Sequence, residues 1–100
     1  MSDSTNYLND LPEWSADIAY KLGHEDGFEL TPEHIEILDI ARIFYAEYGF
    51  SPSMRPLCKV VSASLGTDKG RSIYLNQLFP GSPAKIAAKL AGLPKPKNCL

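Results

Sequence analysis

One hundred residues, 44% hydrophobic and 22% charged, fit a single globular domain with one core, large enough to fold without staples. No apolar run nears the roughly 20 residues of a membrane-spanning helix, Met1-Ser2-Asp3-Ser4-Thr5-Asn6 lacks the basic and apolar parts of a secretion signal, and Cys58 and Cys99 form no CxxC or Cys/His metal spacing. The net charge of −2 conceals a split: residues 1–50 hold two bases against eleven acids (−9), and residues 51–100 hold eight bases against one acid (+7), which either steers an anionic partner to the second half or is neutralised by acidic helices facing basic ones.

The pattern is a run of short helices. Ser15 is a cap for a helix over 16–22, ended by Gly23, with Ile18, Ala19 and Leu22 on one face and Trp14 anchoring its entrance. Thr31-Pro32-Glu33 starts a second helix, with Thr as cap and Pro at the first helical position, running to Tyr48 and stopping at Gly49. Ile37, Leu38, Ala41, Phe44, Tyr45 and Tyr48 make its apolar stripe; Ile35 and Ile43 lie off the stripe, which predicts a central helix buried on more than one side. A third helix is expected over 54–65, where Pro56 is tolerated in the first turn, and a fourth over 71–79, stopped by Pro80-Gly81. Ser82-Pro83 repeats the cap-plus-proline start for a fifth helix to Ala91, with Gly92 as its stop. There Ile86, Ala87, Leu90 and Ala91 face inward, and Lys85 and Lys89, four apart, form a basic ridge. Asn6-Tyr7-Leu8 is the one candidate strand.

The tail Gly92-Leu93-Pro94-Lys95-Pro96-Lys97-Asn98-Cys99-Leu100 carries the most pointed chemical signal. Its two prolines favour an extended path of roughly 3.1 Å per residue, so an arm rooted at Gly92 would reach about 20 Å to Cys99. Lys95 and Lys97 favour the Cys99 thiolate, opposed by the terminal carboxylate of Leu100. Cys58, beside Leu57, Val60 and Val61, reads as a small packed side chain. Composition favours a reducing, cytoplasmic setting with free thiols and leaves a Cys58–Cys99 disulfide open. His24 and His34, ten residues apart, are too widely spaced for an i, i+4 metal pair and read as surface histidines, so no metal or cofactor is expected. Gly66, Gly70 and Gly81 fit no phosphate loop. Residues 32–65 look like a helix–turn–helix, but the second helix offers only Arg55 and Lys59 as bases, a weak case for base readout.

Arg71-Ser72-Ile73-Tyr74-Leu75-Asn76-Gln77-Leu78-Phe79-Pro80, Gly81-Ser82-Pro83-Ala84-Lys85, Ala91-Gly92-Leu93-Pro94-Lys95-Pro96 and the penultimate Cys99 resemble the DsrC/TusE family of sulfur-relay proteins. The resemblance extends through Trp14, Leu30-Thr31-Pro32-Glu33-His34, Phe44-Tyr45 and Ser51-Pro52, covering about residues 7–100. It implies a mainly α protein, a small orthogonal bundle of about five helices: an N-terminal segment (1–13), a helical body (14–91) and a flexible C-terminal arm (92–100). The family's N-terminal β-hairpin is expected to be truncated or absent, because the chain is short there.

The resemblance further implies that Cys99 carries sulfur as a persulfide. Family members of the dissimilatory sulfur branch have a second cysteine eleven residues before the penultimate one; the matching position here is Ala88. The chain therefore resembles the single-cysteine, TusE-like type, a sulfurtransferase. The implied partners are an upstream TusBCD-like or DsrEFH-like sulfurtransferase complex and a downstream enzyme that 2-thiolates the tRNA wobble uridine. Arg71, Lys85 and Lys89 are expected to dock an acidic partner surface or to hold the arm. The competing readings are a regulatory family member that binds DNA or a protein, and a partner of dissimilatory sulfur-oxidation enzymes, against which Ala88 argues.

Overall fold

The computed structural model describes Leu8 and residues 11–96. It contains five helices: α1 (Ala16–Glu25), α2 (Pro32–Tyr48), α3 (Met54–Leu65), α4 (Ser72–Leu78) and α5 (Pro83–Leu90). No described residue lies in a strand. Of the candidate strand, Asn6 and Tyr7 fall outside the described residues, and Leu8 accepts a turn hydrogen bond from the Leu11 amide at 3.0 Å. Among the described residues no helix is long and apolar enough to cross a membrane, and no group of three metal-ligating side chains occurs.

Helix starts follow the local chemistry. Ser15 caps α1 by accepting from the Ile18 amide, and Pro32 and Pro83 each stand in the first turn of their helices. The end of α1 differs from expectation. Gly23 lies inside the helix and is buried, because a Cβ there would meet Leu30 Cγ at 2.9 Å: it allows a close approach. The stop is Gly27, at φ 83°. The Gly27 amide donates to His24 O and the Phe28 amide to Gly23 O, the paired bonds of a Schellman ending.

The core joins Ile37, Leu38 and Ala41 of α2 to Leu57 and Val61 of α3, Leu75 of α4 with Phe79 just beyond it, and Ala84, Ala87, Ala88 and Leu90 of α5. The expectation that α2 is buried on several sides fails at its far end. Ile43 is 65% exposed and Tyr48 53%, both lining a groove left open between α2 and α3. Among the described residues the two charge halves pair in two places: Lys69 with Glu36 at 3.1 Å and Lys89 with Asp26 at 2.6 Å.

His24 is exposed, as expected of a surface histidine, but His34 is buried. Its Nδ1 accepts from the Thr31 amide at 3.0 Å, closing the start of α2. Its Nε2 therefore carries the proton and donates to Leu78 O at 2.8 Å, one of the last carbonyls of α4. The ring meets Phe79 edge-on at 5.1 Å. His34→Ala removes the partners of two part-buried backbone groups and opens a cavity where the buried ring stood, so it is expected to cost about 3 kcal/mol. A thermal melt should fall by roughly 15 °C; an unchanged midpoint would contradict this structural role.

Candidate functional site

The candidate site is the place where the chain leaves α5 toward Cys99. The sequence dictates a sharp exit there. Gly92 adopts φ 73°, its amide donates to Lys89 O at 3.1 Å, and the Leu93 amide donates to Ala88 O at 2.8 Å. This is a second Schellman ending, with Leu93 buried as its apolar partner. A side chain at Gly92 would be strained by that φ and would press on Trp14 Cδ1 at 3.0 Å.

Helix α5 leaves its last carbonyls without partners of its own, and two distant residues supply them. Trp14 Nε1 donates to Leu90 O at 2.8 Å, and Arg42 Nη1 donates to Ala91 O at 2.6 Å. The Arg42 guanidinium also lies 4.6 Å from the centroid of the Trp14 ring, a cation–π contact. Its charge faces the negative end of the α5 dipole. Partial burial lowers the pKa of Arg42, and Asp39 raises it; the guanidinium remains charged.

Beyond the turn, Ser51 Oγ donates to Pro94 O, and Pro96 is buried. Residues 92–96 thus lie against the body, and the arm's reach is shorter than its sequence implies while these contacts hold. Cys99 follows Pro96 by three positions in the sequence, a chain length of at most about 10 Å. Reaching the expected 20 Å or so requires release of Pro96 and of the Ser51 bond.

The predicted basic residues are brought together in part. Lys85, Lys89 and Lys95 line one groove of about 350 Å³, floored by Leu93. All three are exposed, and Lys89 is ion-paired with Asp26. Arg71 stands apart as the exposed cap residue of α4. Lys97 and Cys99 lie outside the described residues. Cys58 is half-buried in α3, and burial raises its thiol pKa above the ordinary value. Ala88 is buried, 2% exposed, on the inner face of α5.

Sequence reasoning missed Arg42 and Ser51. Arg42 carried one usable signal, since it is one of only two bases in the acidic half. Ser51 stood among the residues of the family resemblance, but nothing in the sequence showed its role, which depends on a contact 43 residues away.

The family described as DsrC like protein matches residues 1–100. The chain is 46% identical over 99 residues to a sulfurtransferase TusE homolog of Haemophilus influenzae and 42% identical to sulfurtransferase TusE of Escherichia coli K12. Both matches take in 99% of this chain and 91% of the relative. The NMR structure of DsrC from Allochromatium vinosum superposes with a TM-score of 0.80 at 43% identity, covering 97% of this chain and 87% of that one.

Proposed function

The chain belongs to the DsrC-like protein family, and we propose that it is a sulfur carrier whose working thiol is Cys99. The observation that carries the reading is the built root of the arm. Trp14, Arg42 and Ser51, from three different segments, bond the carbonyls of Leu90, Ala91 and Pro94, where the chain leaves α5 toward Cys99. The kinship with sulfurtransferases supplies the chemistry.

In the loading step the Cys99 thiolate attacks the outer sulfur of a donor persulfide. The donor's S–S bond breaks, the donor leaves as a thiolate, and Cys99 holds the sulfane sulfur. In the delivery step an acceptor thiolate attacks that outer sulfur and Cys99 leaves as a thiolate. Sulfur changes hands with no net oxidation, so no cofactor is required. Lys95 and Lys97, four and two positions before Cys99, favour its thiolate. The groove of Lys85, Lys89 and Lys95 offers positive charge to an acidic partner surface or to the arm itself. Ala88 provides no second thiol on α5, so one sulfur works alone.

The proposed route runs from a TusBCD-like complex, through Cys99, to a tRNA wobble-uridine thiolating enzyme. The test is a chase. Protein loaded with labelled sulfane sulfur is mixed with the thiolating enzyme, ATP and tRNA, and 2-thiouridine is scored by retardation in a mercury-containing gel. Label appearing in tRNA is expected; label retained on the protein would defeat the tRNA assignment.

A further inference from the structure

The apolar side chains left exposed at the end of α2 form one patch. Ile43, Tyr48 and Phe50 are 65%, 53% and 47% exposed. Phe44, Tyr48 and Phe50 are ring neighbours, with centroids 4.6 Å apart for Phe44–Tyr48, 5.4 Å for Phe44–Phe50 and 6.2 Å for Tyr48–Phe50. Beside the rings runs a groove of about 190 Å³ between α2 and α3, walled by Ile40, Ile43, Val60 and Ala63, with Glu47 on its lining. Single exposed apolar residues are ordinary, but a contiguous set with a groove beside it marks an interaction surface.

Its position names the occupant. Phe50 precedes Ser51, whose hydroxyl holds Pro94 O, so the patch borders the root of the arm. In sequence Cys99 follows buried Pro96 by three positions, a chain length of at most about 10 Å. A partner's thiolate must come to about 3.5 Å of the sulfur it attacks. A protein interface covers about 800 Å² on each side, a disc roughly 30 Å across. A protein that engages Cys99 from the docked arm therefore cannot avoid the surface around the root. Of the two surfaces there, the lysine groove is charged and the aromatic patch supplies apolar area.

We infer that the patch of Ile43, Tyr48 and Phe50, with the adjoining α2–α3 groove, is the docking surface for the cysteine-bearing relay protein that exchanges persulfide sulfur with Cys99. That partner presents an apolar side chain to the groove and a basic one to Glu47. The inference rests on the carrier reading.

The experiment compares two donors on the full chain, inorganic polysulfide and a persulfidated TusBCD-type complex, with loading read by intact mass. The variants are the double substitution Ile43→Ser with Phe50→Ser, and Ile43→Lys alone, all at solvent-facing positions. Polysulfide should load wild type and both variants alike. Transfer from the protein donor should fall about tenfold or more, through KM with kcat retained. Equal protein-to-protein transfer in wild type and Ile43→Lys would overturn the inference. So would a wild-type dimer in sedimentation that the variants convert to monomer, since a second copy would then own the patch. If neither donor loads wild type, the carrier reading itself falls and this inference with it.

Discussion

Trp14→Ala is expected to lower stability by about 3 kcal/mol and to loosen the arm root at the same time. The indole does three jobs. Its Nε1 satisfies Leu90 O, its face carries Arg42, and its edge packs on Gly92. Removing a large aromatic ring from such a site costs about 3–5 kcal/mol when fully buried, and Trp14 is half-buried, which places the loss at the low end. Trp14→Phe keeps most of the packing and forfeits the hydrogen bond, for about 1 kcal/mol. The local consequence is separable from the global one. The amides of Gly92 and Leu93 are bonded to Lys89 O and Ala88 O, so hydrogen exchange at those two positions should rise more in Trp14→Ala than exchange in the core of α2 under native conditions. A uniform rise across both would show that Trp14 only stabilises the fold.

Cys99→Ser is expected to reduce sulfur transfer to background, and Cys58→Ser to leave it intact. The environment of Cys58 disfavours its thiolate. Cys58 is half-buried in α3, and burial raises its pKa; at neutral pH it holds its proton and attacks poorly. Raising the pH through that elevated pKa creates the Cys58 thiolate. Alkylation by iodoacetamide should therefore strike Cys99 first at pH 7 and reach Cys58 only as the pH climbs. Equal labelling of both at pH 7 would contradict the assignment of roles.

The helical frame was legible because its punctuation is local. Thr31-Pro32 and Ser82-Pro83 carry cap and fixed φ within two residues, and Gly49 and Gly92 stand where left-handed stops are needed. Gly23 misled because a glycine that ends a helix and a glycine that admits a neighbour look alike in sequence; Leu30 decides between them. His34 misled for a related reason. Its acidic neighbours suggest a surface, yet its two ring nitrogens join the start of α2 to the end of α4, 44 residues away. The off-stripe position of Ile43 suggested burial, and the fold leaves that flank open. At the site, the thiol and its lysines are an expectation from the tail alone, and Lys97 and Cys99 lie outside the described residues. The grip on the tail was not legible, because Trp14, Arg42 and Ser51 converge only through tertiary packing.

The central claim, that a single thiol carries the sulfur, meets its most direct test in intact mass spectrometry after incubation with a persulfide donor. Wild type is predicted to gain the mass of one sulfur atom, lost again on reduction and mapped by fragmentation to the C-terminal peptide holding Cys99. Cys99→Ser is predicted to gain nothing. A wild type that gains no sulfur, or a Cys99→Ser variant that gains as much, would contradict the account.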